Sequence, residues 1–326
     1  MNKTIPLIHK SAAIAQIEAL KLYIKDIWPI VSDAQLPIYL NSTSAQFIPF
    51  HSLCRLLQSA LKHLTAKEFI EFIHCGAKSY SQHIEGVCLS DKSKGDLGKG
   101  ALGELVHYLP IQEVAFTSSS NGTVSECSLT MTLEEVEPYT FISELYVISV
   151  AHHCLTQQCP ALVEPIKYHL VTHEKFGLDA LKASTKAPQF LGQECTALFY
   201  RSSSLSGFSN HNQHWRRQTQ TFTEQVADAL ESYIGRQDVS LDTFSSIVGI
   251  PPRTIQRHLD NEGTTFRKIK ESLNMAFAKR VMIERNVSIS DIAEHLGYSD
   301  TSQFIRAFKK SEKMTPLQWR KTNQAN

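Results

Sequence analysis

The 326-residue sequence predicts an α+β region followed by an all-α region in which two helix-turn-helix units are joined by a connector helix. Three observations carry this expectation. The first two hundred residues mix apolar spacings of three and four with stretches of strict alternation, the marks of helices and of half-buried strands. A polar tract rich in Ser, Asn and Gln, SSSLSGFSNHNQHWRRQTQT (202–221), then interrupts the pattern as loops do. Beyond it come short amphipathic segments punctuated by Gly, Pro and Asn, and none of the seven cysteines lies after residue 200. The expected division is a domain at 1–205, a linker at 206–221 and a helical domain at 222–326.

In chain order, HSLCRLLQSALKHL (51–64) and TAKEFIEFIHCGAKSY (65–80) have helical spacing, and LGELVHYLPIQEV (102–114) starts in the same way. ECSLTMTLEEV (126–136) alternates as a strand does. PYTFISELYVISVAHHCL (138–155) is long and apolar enough for a buried helix, and ALVEPIKYHLV and ECTALFYRSSS suit later strands.

In the helical domain, Ser240 can cap a helix over LDTFSSIV (241–248) that turns Leu241, Phe244, Ile247 and Val248 to one face. Gly249 supplies the turn, because without a Cβ it accepts a positive φ. Pro251 or Pro252 opens the next helix, where the missing N–H costs nothing. PRTIQRHLDN then buries Ile255 and Leu259 and leaves Arg253, Thr254, Gln256 and Arg257 outside. From 289 the unit recurs: Ile289, Ile292, Ala293 and Leu296 face inward, Gly297 turns, and Ser299 or Asp300 caps DTSQFIRAFKK. That segment buries Phe304 and Phe308 and exposes Thr301, Ser302, Ile305, Arg306 and Lys309, with Trp319 expected in the core. The apolar-faced stretch 266–285 lies between the units. A rigid helix of ~20 residues is about 30 Å long, close to the ~34 Å repeat of the DNA major groove, so one chain can reach two adjacent grooves on one face of a duplex.

Composition neither supports nor opposes this. The chain is 42% hydrophobic and 20% charged with a net charge of +1, so bulk charge announces no polyanionic partner. The local distribution does: from residue 303 onward Arg306, Lys309, Lys310, Lys313, Arg320 and Lys321 face one acid, Glu312. No apolar run approaches the ~20 residues of a membrane span. The segment MNKTIPLIHKSAAIAQIEAL lacks the apolar core of a signal peptide. The cysteines are odd in number and scattered, which suits reduced thiols in a cytoplasmic protein.

The stretches VSLDTFSSIVGIPPRTIQRHLDNEGTTF and ISDIAEHLGYSDTSQFIRAFKKSEKMTPLQWR resemble the DNA-binding domain of the AraC/XylS regulators, over about residues 225–322. Two departures stand out: Lys313 where glycine is common, so that the turn before Met314 is expected to differ, and Asn274 where arginine is common. The resemblance implies base contacts from Arg253, Gln256 and Arg257 in the first unit and from Thr301, Ser302, Ile305 and Arg306 in the second. These residue types suit base edges, since Arg pairs with guanine O6 and N7, Gln with adenine N6 and N7, and Ile with a thymine methyl. Thr254, Lys309 and Lys310 are candidates for phosphate contact, which positions without specifying. More base discrimination is expected from the first unit and more phosphate anchoring around the second.

More weakly, residues 20–205 resemble the N-terminal domain of the ornithine-regulator and quorum-modulator branch of that family. FIPFHSLCRLLQSA, LGKGALGEL and QFLGQECTALFYRSSSL carry that likeness, and the sugar-binding cupin arm of the arabinose regulator is different. It implies an effector-sensing or dimerising α+β domain without naming the ligand. The expectation is therefore a sequence-specific regulator of transcription, an activator, that binds double-stranded DNA. A small-molecule effector, a homodimer and contact with RNA polymerase are its implied partners, and no membrane is. An enzyme or repair protein that uses the reader for delivery is the alternative, and a sequence-blind architectural binder is a third. The alternatives find little chemistry. GKGALG (98–103) matches a dinucleotide-loop pattern but follows the polar SDKSKGDL instead of a buried strand. His152, His153, Cys154 and Cys159 lack a second matching pair for zinc. Neither G-x-S-x-G nor H-E-x-x-H occurs. No cofactor, metal or catalytic residue is expected.

Overall fold

The computed structural model describes residues 4–37, 40, 45–90, 101–121, 124–158, 162, 164–174, 186–202, 213–235, 239–284 and 287–324. The chain forms two compact units, one of Pro6–Leu36 and Pro49–Thr219, the other of Met1–Ile5, Pro37–Ile48 and Gln220–Asn326.

The first unit contains β1 (Leu7–His9), α1 (Lys10–Leu20) and α2 (Trp28–Asp33). After β2 (Phe47–Pro49) come α3 (Phe50–Leu61), α4 (Ala66–Ser90) and α5 (Ala101–Tyr108). Next are β3 (Ile111–Asn121), β4 (Val124–Leu133), α6 (Thr140–Gln158), β5 (Lys167–His169), β6 (Gln189–Phe190), β7 (Thr196–Ser202) and β8 (Gln213–Arg216). The last six strands form one sheet in the order β6-β5-β7-β4-β3-β8, parallel between β5 and β6 and antiparallel elsewhere. Period-two alternation decides its faces: Val114, Phe116, Leu129, Met131, Leu198 and Tyr200 are buried, while Glu113, Thr117, Ser128 and Thr130 between them are half-buried or exposed. On that second face Thr117 and Ser128 pair across the strands at 2.7 Å.

The expected linker at 206–221 needs correction, because residues 213–216 are the edge strand β8, with Val114 opposite Trp215. The alternating side chains of an edge strand are polar enough to pass for a loop. Residues 206–212 lie outside the described residues, as do residues 98–100 of GKGALG, whose last three residues open α5.

Helix α6 is buried on nearly every side, and two of its groups tie it to the sheet. Glu144 accepts the Val171 and Thr172 N–H groups at 2.8 and 3.1 Å and the Thr196 hydroxyl, which satisfies a carboxylate that burial pushes above its ordinary range. His152 hydrogen-bonds the Tyr200 hydroxyl at 2.8 Å. His153 meets His74 of α4 edge-on at 5.9 Å. Among the described residues no cluster of metal ligands forms, and Cys159 lies outside them. No disulfide joins Cys54, Cys75, Cys127, Cys154 or Cys195. Among the described residues no helix is long and apolar enough to cross a membrane.

Burial and the neighbouring His153 and His74 hold His152 down to about 4, and burial with His74 and Lys78 does the same to His153. His9 is lowered to about 4 by burial, His83 and Lys10. The unfolded chain binds these protons near the ordinary value of 6.5, whereas the folded unit refuses them until about 4. What these three histidines contribute to stability is therefore present in full above pH 6.5 and is lost as pH drops toward 4. Denaturant titrations at about pH 7, 6 and 5 should show this loss with uptake of roughly three protons on unfolding, and replacing His152 and His153 by Gln should flatten the slope.

Candidate nucleic-acid interface

The second unit is helical over its described C-terminal length. It runs through α7 (Phe222–Glu231), α8 (Leu241–Val248), α9 (Pro252–Asn261), α10 (Phe266–Glu284), α11 (Ile289–His295), α12 (Thr301–Glu312) and α13 (Pro316–Gln324). The local reasons are those the sequence offers. Ser240 Oγ accepts the Thr243 N–H at the start of α8, and Gly249 ends that helix at φ 70° with its N–H on Ser245 O. Pro251 and Pro252 start α9 without a side-chain cap. In the second unit Ser288 caps α11, Gly297 turns at φ 76°, and Asp300, of the two candidates, caps α12 through the Gln303 N–H at 2.8 Å.

Two small cores hold the readers. Phe244, Ile247, Val248, Ile255 and Leu259 are buried in the first, where Phe266 of α10 lies 5.2 Å from Phe244. In the second, Met275, Ala278 and Met282 of α10 pack with Ile292, Ala293, Leu296, Phe304 and Phe308. Trp319 is half-buried against this cluster and meets Phe308 edge-on at 6.3 Å. Leu241 and Ile289 are half-buried instead of fully inward.

The predicted contact residues fall on the solvent faces of the two second helices. On α9, Arg253, Gln256 and Arg257 are exposed, whereas Thr254 is half-buried. On α12, Ser302, Arg306, Lys309 and Lys310 are exposed and Ile305 is half-buried. Thr301 is also half-buried, and its hydroxyl donates to Ser290 Oγ at 3.3 Å. The basic stretch after 303 is thinner than its sequence suggests. Arg320 sends its guanidinium inward to Val287 O at 2.6 Å, and Lys313 Nζ lies on Lys310 O at 3.1 Å. The single acid there, Glu312, pairs with Lys279 of α10 at 3.2 Å. Three further supports have no local sequence signal: Lys270 Nζ on Val239 O, Arg320 on Val287 O, and Glu262 on the start of α7. All join residues more than thirty positions apart.

With this geometry in place, residues 244–322 match the family model described as a helix-turn-helix domain. The matched residues fall within the stretch that resembles the DNA-binding domain of the AraC/XylS regulators. The activator CfaD of Escherichia coli is 31% identical over 98 residues, 30% of this chain and 37% of that protein. The dual regulator Rns of Escherichia coli is 31% identical over the same shares. The chain thus matches little more than a third of the length of these relatives. Among solved structures, the regulator CdpR of Pseudomonas aeruginosa covers 82% of this chain and 96% of its own at 16% identity, with a TM-score of 0.28.

The structure accounts for both departures from the AraC-type pattern. At the turn before Met314, Lys313 itself takes the left-handed conformation that glycine favours, at φ 62°, and its N–H closes on Lys309 O at 3.0 Å. A lysine there bears the Cβ–carbonyl crowding that glycine avoids. Asn274 is buried, and its side chain hydrogen-bonds the Tyr298 hydroxyl, fixing the turn after α11 to the connector. Replacing Lys313 by Gly should raise the stability of the chain by up to about 1 kcal/mol in thermal or urea denaturation, the relief of left-handed strain outweighing glycine's larger unfolded-state entropy.

Proposed function

We propose that the chain is a sequence-specific DNA-binding regulator of transcription, an activator. Its AraC-type domain would place α9 and α12 in two adjacent major grooves. The observation that carries this is the duplication: two capped helix-turn-helix units share the 19-residue helix α10, and each leaves an arginine-bearing helix face in solvent. A lone unit is more often a packed hairpin, whereas two on one rigid connector match the groove repeat. Arg253, Gln256, Arg257, Thr301, Ser302, Ile305 and Arg306 would meet base edges, and Thr254, Lys309 and Lys310 phosphates. The relatives named as activators support the sign of regulation.

The sheet-containing unit would sense a small molecule or a partner, the chain would act as a dimer, and RNA polymerase would be contacted from the bound site. Selection of bound DNA from a random pool, repeated with candidate metabolites, tests the whole reading: a motif spanning about two turns supports it, and occupancy without a discrete motif sinks it. On the selected site, Arg306→Ala should cost roughly 1–3 kcal/mol at one base pair and relax preference there, whereas Lys309→Ala should weaken all sequences alike and shallow the salt dependence. An equal loss on every sequence for Arg306→Ala would refute base readout by that residue.

A further inference from the structure

The first turn of a helix leaves N–H groups without intrahelical partners. In α7 they are met from two sources. Thr221 Oγ1 accepts the Glu224 N–H at 3.2 Å, and the Glu224 carboxylate accepts the Thr221 N–H at 2.8 Å. The other source lies at the far end of the first reader. Glu262, the residue that ends α9, accepts the Phe222 N–H on one carboxylate oxygen at 2.9 Å. Its other oxygen accepts the Thr223 N–H at 2.8 Å and the Thr223 hydroxyl at 2.5 Å. One turn earlier on α9, the His258 ring packs on Phe222 at 4.9 Å. Burial opposes the charged carboxylate, but the bonds from Thr223 and Phe222 and the nearby His258 outweigh it and hold the Glu262 carboxyl below its ordinary range.

Helix α9 needs such an anchor. It is ten residues long, and Ile255 and Leu259 are its buried positions. Two apolar anchors one turn apart fix a helix against a core but leave its tilt soft, and its N-terminal end has no side-chain cap. Three charge-assisted hydrogen bonds at the opposite end remove that freedom. The second reader has a different tie, the Glu312–Lys279 ion pair to α10.

We propose that Glu262 is a positioning residue for DNA reading: by gripping the N-terminus of α7 it sets the angle at which Arg253, Gln256 and Arg257 are presented. This rests on the tandem-reader function proposed above. The loss of Glu262 therefore relaxes base discrimination in one half of the site, the half read by α9, and leaves the other half intact. A general folding role would weaken both halves together.

The test uses the full chain and the DNA motif that wild-type protein selects from a random pool. Affinity is measured for every single base-pair change with wild type, Glu262→Ala, Glu262→Gln and Thr223→Val. Arg257→Ala identifies the α9 half. Expected are a roughly tenfold loss for Glu262→Ala on the best site, a smaller loss for Glu262→Gln, which keeps one acceptor, and flattened base preferences confined to the α9 half. Thermal melting tracks folding. Should Glu262→Ala fail to fold, Glu262→Gln and Thr223→Val carry the same comparison. Preferences unchanged in both halves, or flattened equally in both, overturn the role of Glu262 while the function stands. A wild-type selection without a motif overturns the function and this role with it.

Discussion

One helix has to satisfy two cores at once, and the helical unit depends on that demand being met. At its start α10 sets Phe266 against Phe244 of the first reader; further along, Met275, Ala278 and Met282 close the second core. Nineteen residues at about 1.5 Å each leave room for one small core at either end and none for a third. Each reader helix therefore carries few buried residues, Ile255 and Leu259 on α9 and Phe304 and Phe308 on α12. Most of their surface is left for solvent or for a duplex. The internal hold on each helix is correspondingly weak, and polar ties at the helix ends offset this: Glu262 on α7, Lys279 on Glu312, Arg320 on Val287 O, and Lys270 on Val239 O.

The sheet unit solves the opposite problem. Helix α6 is buried over most of its surface, so its polar groups need partners in the interior, and Glu144 and His152 find them on the sheet side. These buried groups cost more when unpaired than they contribute when paired. They fix the register of helix against sheet more than they add stability.

What is legible in the sequence is local. Gly249, Gly297, Ser240, Asp300 and the proline pair act on the backbone within a few residues, so both helix-turn-helix units can be placed to within a residue or two. The strands β4 and β7 alternate strongly enough to be seen. Helix α1 escapes notice because it buries Ala12, Ala13, Gln16, Ala19 and Leu20 with little contrast between its faces. Strand β8 passes for linker because half-buried and exposed residues alternate through a polar tract. In the candidate interface the outward residues follow from helical period, but their supports do not: Phe222 and Glu262 lie forty positions apart, and nothing in either neighbourhood points to the other. The basic stretch misleads in the same way, since a count of lysines and arginines does not show which side chains turn back onto backbone carbonyls.

The hydrogen bonds those cations make bear on how unequal the two readers are. Arg320 is drawn to Val287 O, Lys313 Nζ lies on Lys310 O, and Lys279 of the connector is neutralised by Glu312. The exposed cations on α12 are then Arg306, Lys309 and Lys310. A hydrogen bond to a carbonyl leaves Arg320 and Lys313 charged, so long-range attraction around α12 persists within a Debye length of about 8 Å, and what these bonds limit is direct contact by the two side chains. The first reader keeps Arg253 and Arg257 exposed on ten residues, and the Glu262 carboxylate beyond its end is already committed to hydrogen bonds on α7. The difference in cationic character between the two faces is thus small, and what separates them is mechanical: α9 is anchored through backbone N–H groups of a neighbouring helix, α12 through a flexible lysine.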